Sequence, residues 1–366
     1  MLYHLEEILD PSRQNKISDL YMKALRWQSL QRLPLVLTYN LPEDFPFKPY
    51  PLSQARDNPE KMLYNELVHA FDSSIACRDL LDDDLPCAIR ANFGTVVIAS
   101  IFGAEIEQVN NNPPWVRPLE SSDIFERILD CDPCDFSQGW CPKVVETYKF
   151  FNDVLADFPN LQKCIKVVLP DLQGPFDTAE QLRGSSIYED FYRVPKTLYA
   201  VMHHLAEAQI GFAQHLQPYL NDGPEGYTYQ HNAMICGNIL IRNDCAINIS
   251  SKMYREQVAP HDAAVLEALG GGGIHCCGKC EHLVEEFLSL PAVRCIDFGQ
   301  SDMNDINAIY HKARQHKAPL IRIRVPGQEL LSGRVLDEFP TGVTLVHDAG
   351  SLDKARNIMQ AYRKSC

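Results

Sequence analysis

The segment Gly270–Cys280 offers the group of side chains best suited to chemistry. It reads Gly-Gly-Gly-Gly-Ile-His-Cys-Cys-Gly-Lys-Cys, so that one imidazole and three thiols follow a run of glycines. If residues 273–277 form a strand, His275 and Cys277 point to the same side of it, because side chains alternate along a strand. Zinc accepts imidazole nitrogen together with thiolate sulfur. The segment predicts a metal site or a reactive thiol, and the alternative is a structural histidine beside small buried cysteines.

The glycine run Gly270–Gly273 does not fit a phosphate-binding loop. Such a loop follows a strand and opens a helix, and its best-known form carries Lys followed by Ser or Thr. Here the run follows a segment of helical period, 261–269, and precedes a strand-like segment. The pattern predicts a helix C-cap followed by a close backbone approach near the metal.

Cysteine usage indicates reduced thiols. The chain has 13 cysteines, an odd number at irregular spacing, and it is too long to need disulfides for its stability. We therefore expect a cytoplasmic protein. Cys131 and Cys134, with Cys141 beyond, have the two-residue gap of a zinc knuckle, but no matching second pair follows and their Asp-Pro interior is typical of a surface turn.

Composition excludes several classes of partner. Acidic residues outnumber basic ones by 48 to 34, which gives a formal charge of -14. A field of this sign repels phosphate backbones and anionic lipid surfaces, so we expect neither nucleic acid nor membrane as a partner. The start of the chain is acidic rather than basic and apolar, and no run approaches the roughly 18 apolar residues of a membrane span. We expect neither a signal peptide nor a membrane span.

Short runs rich in Val and Ile alternate with segments of helical period, which predicts an α/β protein with a parallel sheet. The predicted strands are 34–40, 87–93, 165–171, 239–246, 273–277, 293–298, 319–325 and 342–348. The predicted helices are 60–77, 144–155, 197–216, 261–269, 282–290, 305–316 and 352–362.

Eight predicted strands with helices in most of the gaps indicate a closed barrel. Residues 1–33 then form a helical N-terminal extension, residues 34–366 form the barrel domain, and residues 104–162 form a long insertion within it. The alternative is an open doubly wound sheet, because the sequence does not show strand order.

Polar residues collect at the predicted C-terminal ends of these strands, where barrel enzymes build their sites. Strand ends are often polar in any protein, so the convergence of several strands carries more weight than any single residue. The residues are Tyr39, Asn40, Arg90, Asn92, Asp171, Gln173, Asp244, Asn248, His275, Cys277, Asp297, His347 and Asp348.

A series of motifs follows in a consistent order between about residues 80 and 350. The motifs are Asp171-Leu-Gln-Gly-Pro-Phe, Leu182-Arg-Gly, Asp190-Phe-Tyr-Arg-Val-Pro195, Gly237-Asn-Ile-Leu-Ile-Arg-Asn-Asp244, Asn248-Ile-Ser-Ser, Tyr254 to Pro260, Gly271-Gly-Gly-Ile-His-Cys-Cys-Gly278 and Cys295-Ile-Asp-Phe-Gly299. No single motif is decisive, but their order resembles the corrinoid-dependent (coenzyme M type) methyltransferase branch of the uroporphyrinogen decarboxylase superfamily.

The resemblance implies a TIM-type (β/α)8 barrel with a zinc site. In the methyltransferase branch, a His-x-Cys motif and a distant third cysteine hold the zinc, and His275-Cys276-Cys277 matches the first part. The late cysteine is missing, since only Cys295 and Cys366 follow Cys280. Because zinc accepts nitrogen or oxygen in place of sulfur, we expect His347 as the third ligand. The alternatives are Asp348 and Cys280.

The resemblance also implies transfer of a methyl group from a methylated corrinoid, carried on a small partner protein, to a small thiol or similar acceptor. Zinc would bind the acceptor thiol and lower its pKa. Asp171 and Asp244 are the predicted catalytic acids, which orient His275 through its second ring nitrogen or contact the substrate. The alternative is that one of the two caps the helix after its strand.

Four further residues are expected to bind substrate. The guanidinium of Arg90 matches a sulfonate or carboxylate on the acceptor, and its alternative partner is the acidic run Asp82–Asp84. Tyr39, Asn92 and Asn248 are expected to line the cleft.

Two other functions remain open at this point. The first is a metal-independent, decarboxylase-like enzyme. True uroporphyrinogen decarboxylase grips its substrate's carboxylates with an arginine-rich N-terminal loop, whereas the first strand here ends Leu37-Thr-Tyr-Asn-Leu-Pro-Glu-Asp44, which repels them. The second is a non-catalytic barrel that only binds a corrinoid or a metal.

Overall fold

Strands and helices alternate along most of the chain in this computed structural model, which describes residues 1–69, 74–119, 121, 123–221 and 223–365. The strands are β1 Leu35–Asn40, β2 Ala88–Ile89, β3 Glu105–Glu107, β4 Trp115–Arg117, β5 Lys166–Val167, β6 Tyr227–Gln230, β7 Ala233–Cys236, β8 Ile239–Arg242, β9 Gly272–Cys276, β10 Val293–Phe298, β11 Leu320–Arg324 and β12 Val343–Ser351.

The helices fill most of the intervals between the strands. They are α1 Leu2–Ile8, α2 Pro11–Leu25, α3 Leu52–Arg56, α4 Pro59–Leu67, α5 Val97–Ile101, α6 Ile124–Asp130, α7 Cys141–Ala156, α8 Pro159–Cys164, α9 Pro175–Arg183, α10 Ile187–Arg193, α11 Pro195–Leu216, α12 Ser251–Met253, α13 Ala259–Ala268, α14 Val284–Leu288, α15 Ile306–His316, α16 Gly327–Ser332, α17 Val335–Glu338 and α18 Leu352–Ser365. Many begin with proline in the first turn, where its missing N–H costs no hydrogen bond and its fixed φ suits the helix. No helix in the described ranges is long and apolar enough to cross a membrane.

Six strands form one parallel sheet in the order β1-β12-β11-β10-β9-β8. β2 and β5 form a separate parallel pair, and a bridge between Gln173 and Arg242 joins the segment after β5 to β8. The predicted α/β class with a parallel sheet is therefore confirmed. Each of the eight predicted strands overlaps an observed one, although β2 and β5 are only two residues long.

Two antiparallel hairpins were not predicted. β3 pairs with β4, and β6 pairs with β7 through the two-residue turn His231-Asn232. Both turn residues have positive φ, 48° and 60°. This is the backbone that a two-residue hairpin turn of type I′ requires, and Asn tolerates it better than most residues do.

The two faces of the large sheet have different coverings. Ile274 and Ile296 point into the main core, whereas Leu240, Cys295 and Ile321 pack in a second cluster with residues of α2, β6 and β7. Alternation of side chains along each strand produces this division. The second face, called here the hairpin face, is thus covered by the β6–β7 hairpin and α2, a helix that lies within the predicted N-terminal extension.

Carboxylates protect the free edge of β1. The backbone N–H groups of Leu35 and Leu37 donate to Asp84 Oδ2 and Asp83 Oδ2, each at 3.0 Å. Arg32 and Arg78 pair with the same two aspartates. Asp83 and Asp84 belong to the acidic run that was the alternative partner of Arg90. Along part of this edge they accept the backbone hydrogen bonds that a neighbouring strand would otherwise accept.

Glycines let α13 lead directly into β9. Gly271 N donates to Leu266 O at 2.7 Å, and Gly270 and Gly271 have φ of 80° and 99°, as in a helix C-cap. A Cβ added to Gly272 would lie 2.2 Å from Ile239 O. The predicted C-cap is confirmed, and the close approach is to the start of β8.

Candidate metal centre

Three polar side chains form a row across the hairpin face. Arg242 at the end of β8 is the register partner of His275 in β9, and His275 is the register partner of Asp297 in β10. Register partners in a parallel sheet point to the same face. All three are at least nine-tenths buried, so the row consists of charged and polar groups that must satisfy one another.

Asp297 fixes the orientation of His275. Its Oδ2 lies 2.6 Å from Nδ1 of His275, and because a carboxylate only accepts, Nδ1 carries the proton. Burial alone would raise the pKa of Asp297, but Arg322 and His275 hold it well below its usual range. In the neutral imidazole this leaves the lone pair of His275 on Nε2, which faces Cys277 and Asp244.

His231, at the tip of the β6–β7 hairpin, links Asp297 to Arg242. Its Nε2 lies 2.7 Å from the guanidinium of Arg242, which can only donate, so this nitrogen accepts. In the neutral ring the proton is then on Nδ1, which lies 3.1 Å from both Asp297 Oδ2 and Arg322 Nη2 and donates to the carboxylate. Burial, together with Arg242 and Arg322, lowers the pKa of His231 well below its ordinary value, so this histidine is neutral.

Arg322 reaches the site through an irregularity in β11. The register of β11 shifts between Leu320 and Ile323, and Arg322 has a φ of 57°. Its backbone N–H donates to the Thr344 hydroxyl at 2.9 Å, and its Nε donates to Asp297 Oδ1 at 2.9 Å. A strained backbone is therefore held in place where it directs a guanidinium at the buried carboxylate.

Asp171 extends the network beyond Arg242. It pairs with Arg242 and, at 3.2 Å, with Arg90. Burial opposes the charge on Asp171, yet Arg242 and Arg90 hold its pKa below the usual range. A hydrogen-bonded chain thus runs from Arg90 through Asp171, Arg242, His231 and Asp297 to His275.

Two groups of side chains in the described part of the chain could hold a metal ion. One consists of His231, His275 and Asp297, and the other of Asp244, His275 and Cys277. In the second group, Nε2 of His275 lies 3.3 Å from Cys277 Sγ and 3.6 Å from Asp244 Oδ1. The two groups use opposite nitrogens of the same imidazole.

Charge favours the second group. The first is surrounded by two guanidiniums, since Arg242 donates to His231 Nε2 and Arg322 donates to both oxygens of Asp297. A cation there would have to displace them. The second group has two acidic ligands and only partly buried positions for Asp244 and Cys277, so an ion can enter and keep an open coordination position.

The thiol of Cys277 is neutral in the metal-free site. Burial, followed by the nearby Asp244 carboxylate, raises the pKa of Cys277 to about 12. Asp244 Oδ1 also accepts the backbone N–H of Cys277 at 2.7 Å, which ties the end of β9 to the turn after β8. A Cβ added to Gly299 would lie 2.4 Å from Cys277 Sγ, so a larger residue at position 299 would force this thiol to move.

Several predicted site residues lie elsewhere. Tyr39 is buried in the main core, and burial raises its pKa. Asn92 donates to Glu66 Oε1 at 2.9 Å, and Asn248 donates to the hydroxyl of Tyr188 at 3.0 Å. These contacts hold loops and helices together at the end of the sheet, and the expected substrate contacts of Tyr39, Asn92 and Asn248 stay predictions.

Within the described residues, Asp244 groups with His275 and Cys277, and none of the three expected third ligands does. His347 belongs to neither metal-binding group within the described residues, and its Nδ1 lies 2.8 Å from the carbonyl of Val325. Asp348 accepts the N–H of Gly350, and Cys280 lies beside Cys276, whose side chain points to the main core. Asp244 was expected to orient His275 through its second nitrogen, but Asp297 has that position.

Two cavities lie near Asp244 and Cys277, the first through Gly299 and the second through Asp244 itself. One, of about 240 Å³, is lined by Gly299, Arg322, Arg324 and His347 among others. The second, of about 350 Å³, has Asp244 in its wall. We call the second the acidic cavity, because its wall also contains Asp177 and Glu180.

Sequence reasoning missed the roles of Arg242, Asp297, Arg322 and His231. The first two need the register between strands, which a single sequence does not contain. Arg322 needs a local change of register, and no residue pattern in β11 indicates it. His231 could have been found, because Tyr227, Tyr229 and the dipeptide His231-Asn232 form a recognisable hairpin pattern.

No protein-family model and no curated protein matches this chain.

Proposed function

We propose that this protein is a zinc-dependent methyltransferase, which moves a methyl group from a methylated corrinoid on a small partner protein to a small thiol. The observation that carries the proposal is that His275 Nε2, Cys277 Sγ and Asp244 Oδ1 lie close together. On the opposite side of the ring, Nδ1 of His275 donates a hydrogen bond to Asp297. The motif order described above supports the same assignment and membership of the uroporphyrinogen decarboxylase superfamily.

The donor atoms fit zinc. Zinc–ligand bonds of about 2.0 to 2.3 Å in a tetrahedral arrangement place ligand atoms about 3.3 to 3.7 Å apart. The distances from His275 Nε2 to Cys277 Sγ and Asp244 Oδ1 are 3.3 and 3.6 Å. A carboxylate behind the ligating histidine is a common feature of such centres, because it fixes the tautomer and raises the basicity of the ring.

The strand order supports a barrel of the TIM type. The chain visits β1, β2, β5, β8, β9, β10, β11 and β12 in order, and β12 pairs back with β1. The bridge from Gln173 to Arg242 connects the β2–β5 pair to β8. The candidate ligands then lie at the C-terminal ends of the strands, where barrels of this type bind their substrates.

The chemistry balances without redox change at the protein. Zinc held here would stabilise the thiolate form of an acceptor thiol and would leave one coordination position for it. The acceptor would lose its proton to solvent and gain the methyl group at sulfur, and the electron pair of the donor's cobalt–carbon bond would stay on the corrinoid. His275, Cys277 and Asp244 would hold the metal, while Asp297 keeps Nδ1 of His275 protonated.

The decarboxylase alternative has less support. Such an enzyme needs cationic side chains for substrate carboxylates, but Arg90 and Arg242 pair with Asp171 and Arg322 pairs with Asp297. The non-catalytic alternative shares the metal site and differs only in turnover, so one experiment separates all three.

The test is metal analysis followed by methyl transfer. Protein purified without chelator or nickel resin is expected to contain about one zinc per chain. His275→Ala, Cys277→Ser and Asp244→Asn are expected to lose it. Cys276→Ser is the matched control, because its thiol lies next to Cys277 but points into the main core. The zinc protein is then incubated with methylcobalamin and 2-mercaptoethanol, and the thioether is measured by mass spectrometry.

Each outcome decides between the functions. Zinc together with thioether, both lost in the three ligand variants, supports the methyltransferase. Zinc without any thioether would favour a binding role. Absence of zinc after incubation with zinc salts would overturn the proposal and favour a metal-independent enzyme.

A further inference from the structure

Two carboxamide side chains hold the turn that follows Cys277. Both belong to the loop that joins β10 to α15. Gly278 N donates to Gln300 Oε1 at 2.5 Å, and Cys280 N donates to Asn304 Oδ1 at 2.9 Å. Asn304 Nδ2 in turn donates to Gly278 O at 2.9 Å. Side chains therefore satisfy three polar backbone groups of this turn.

Asn304 connects the turn to the loop through both ends of its carboxamide. Besides Gly278 O, its Nδ2 donates to Gln300 O at 3.0 Å, so that both of its N–H groups are used. A carbonyl oxygen can only accept, which fixes the orientation of this amide. Nδ2 faces the two carbonyl groups, and Oδ1 faces Cys280 N. No other orientation of the side chain would satisfy all three partners.

The loop between β10 and α15 is itself anchored to the sheet. Ser301 is fully buried, and its hydroxyl accepts the backbone N–H of Arg324, the last residue of β11, at 2.8 Å. Gly299 N donates to Cys276 O at 3.1 Å, which extends the contact between β10 and β9. Because the loop is fixed in this way, its carboxamides can determine where the backbone after Cys277 lies.

β10 and the loop after it thus support two candidate ligands at once. Asp297, the register partner of His275, fixes the imidazole directly. Three positions further along the chain, Gln300 begins the support of Cys277 through the backbone of the turn. From the turn after β8, Asp244 accepts Cys277 N at 2.7 Å. The relative positions of the imidazole and the thiol therefore depend on this part of the chain.

We propose that Gln300 and Asn304 are positioning residues, which hold the thiol of Cys277 where it can bind a metal before the ion arrives. The inference rests on the proposed function for the role of Cys277 as a ligand. The hydrogen bonds of the two carboxamides use backbone atoms and not the ligating sulfur, so the turn forms in the metal-free protein. Because the turn is ordered in advance, binding does not have to order it, and the affinity for the ion is higher.

Variants of similar size separate the hydrogen bonds from side-chain packing. Gln300→Met and Asn304→Leu remove the hydrogen bonds to the turn and add no charge. We expect each to lower zinc affinity by about 10- to 100-fold in competition with a chelator. We also expect each to weaken the cobalt–thiolate absorption of the Co²⁺-substituted protein. Gln300→Glu keeps an acceptor for Gly278 N and is expected to retain this absorption. Asn307→Ala is the control, because Asn307 is exposed on α15.

The absorption distinguishes positioning from a contribution to stability alone. Urea unfolding of the metal-free variants gives the free energy of unfolding, and the metal measurements are made where every variant is folded. A merely structural role would lower the free energy of unfolding and leave the zinc affinity and the cobalt–thiolate absorption of the folded protein unchanged. That result for both Gln300→Met and Asn304→Leu would overturn the inference.

A second measurement needs no metal and separates this inference from the proposed function. In the metal-free protein, hydrogen exchange of the peptide that contains residues 277–280 reports on the turn, and alkylation by iodoacetamide reports on the Cys277 thiol. We expect Asn304→Leu to exchange this peptide about tenfold faster and to alkylate Cys277 faster than the wild type does. That result supports the positioning role even if the protein binds no zinc. Equal rates in the two proteins would overturn it, whatever the zinc content.

Discussion

Asp297 Oδ2 and His275 Nδ1 lie 2.6 Å apart across the neighbouring strands β10 and β9, in which the two residues are register partners. This contact decides which nitrogen of His275 is available to a metal. It also couples the candidate centre to Arg322 and His231, which bind the same carboxylate. A metal bound at Nε2 of His275 would therefore be influenced by residues that do not contact it.

Replacing this carboxylate is expected to weaken metal binding. In Asp297→Asn, the amide no longer fixes the tautomer of His275, and zinc affinity should fall by about 10- to 100-fold. Competition with a chromophoric chelator measures the change. Asp302→Asn is the control, since Asp302 is an exposed aspartate at 3.8 Å from Arg324. Unchanged zinc affinity in Asp297→Asn would mean that the metal lies elsewhere.

A pair of glycine variants distinguishes Cys277 from His347 as a ligand. A Cβ at Gly299 would lie 2.4 Å from Cys277 Sγ, whereas one at Gly327 would lie 3.3 Å from Nε2 of His347. We expect Gly299→Ala to displace the thiol and to abolish its cobalt–thiolate absorption in the Co²⁺-substituted protein, while Gly327→Ala retains it. Loss of the absorption in Gly327→Ala as well would indicate that His347 is also a ligand, which is the third ligand that the sequence predicted.

Truncation of His231 is expected to destabilise the fold. His231→Ala leaves buried donors of Arg242 and an acceptor oxygen of Asp297 without this partner, a loss of about 1 to 3 kcal/mol. Urea unfolding measures the free energy of unfolding. His203→Ala provides the comparison, because His203 is exposed on α11 and should change stability little. Equal stability of the two variants would show that the hairpin tip contributes nothing to the network.

Asp262 gives the stability a pH dependence of known sign. It is fully buried and accepts from Asn243 Nδ2 and the Tyr254 hydroxyl, each at 2.6 Å. Burial raises the pKa of Asp262 to about 7 against these hydrogen bonds. The folded state therefore holds a proton that the unfolded state, with a pKa of about 3.9, releases. This contribution is complete below about pH 4 and is lost as the pH rises to about 7.

The Asp262→Asn variant tests this assignment. As the pH rises from 4 to 7, ionisation of Asp262 is expected to decrease the free energy of unfolding by up to about 1.4 kcal/mol per pH unit. Burial and the nearby Asp244 also raise the pKa of Asp177, which therefore acts in the same direction. The informative quantity is the difference between the pH profiles of the wild type and the variant. Parallel pH profiles for the two proteins would show that Asp262 is ionised when folded.

Much of the parallel sheet could be predicted because its strands are buried on both faces and read as Val- and Ile-rich runs. β10, for example, was predicted with its observed bounds, Val293–Phe298. β2 and β5 are shorter than predicted, since the run at 87–93 makes only a few ladder bonds, such as Lys166 N to Cys87 O. Local hydrophobicity indicates burial, but it does not indicate how far two strands stay paired.

The candidate ligands could be predicted to the extent that they are local. His275 and Cys277 are identified by a spacing of two residues, whereas Asp244 was expected as a catalytic acid and not as a ligand. That Asp244, and not His347, lies beside them depends on which strands are neighbours, since β8 adjoins β9 and β12 does not. No residue pattern in a single sequence carries that information.

The β6–β7 hairpin places one side chain of the network on a continuous segment of ten residues, separate from the strands that hold the other members. Substitutions at its tip can alter the environment of Asp297 and His275 while the parallel sheet keeps its sequence and register. In evolution or in protein engineering, this short segment could be exchanged as a unit. Such an exchange would alter the surroundings of the candidate centre and leave the strands of the parallel sheet unchanged.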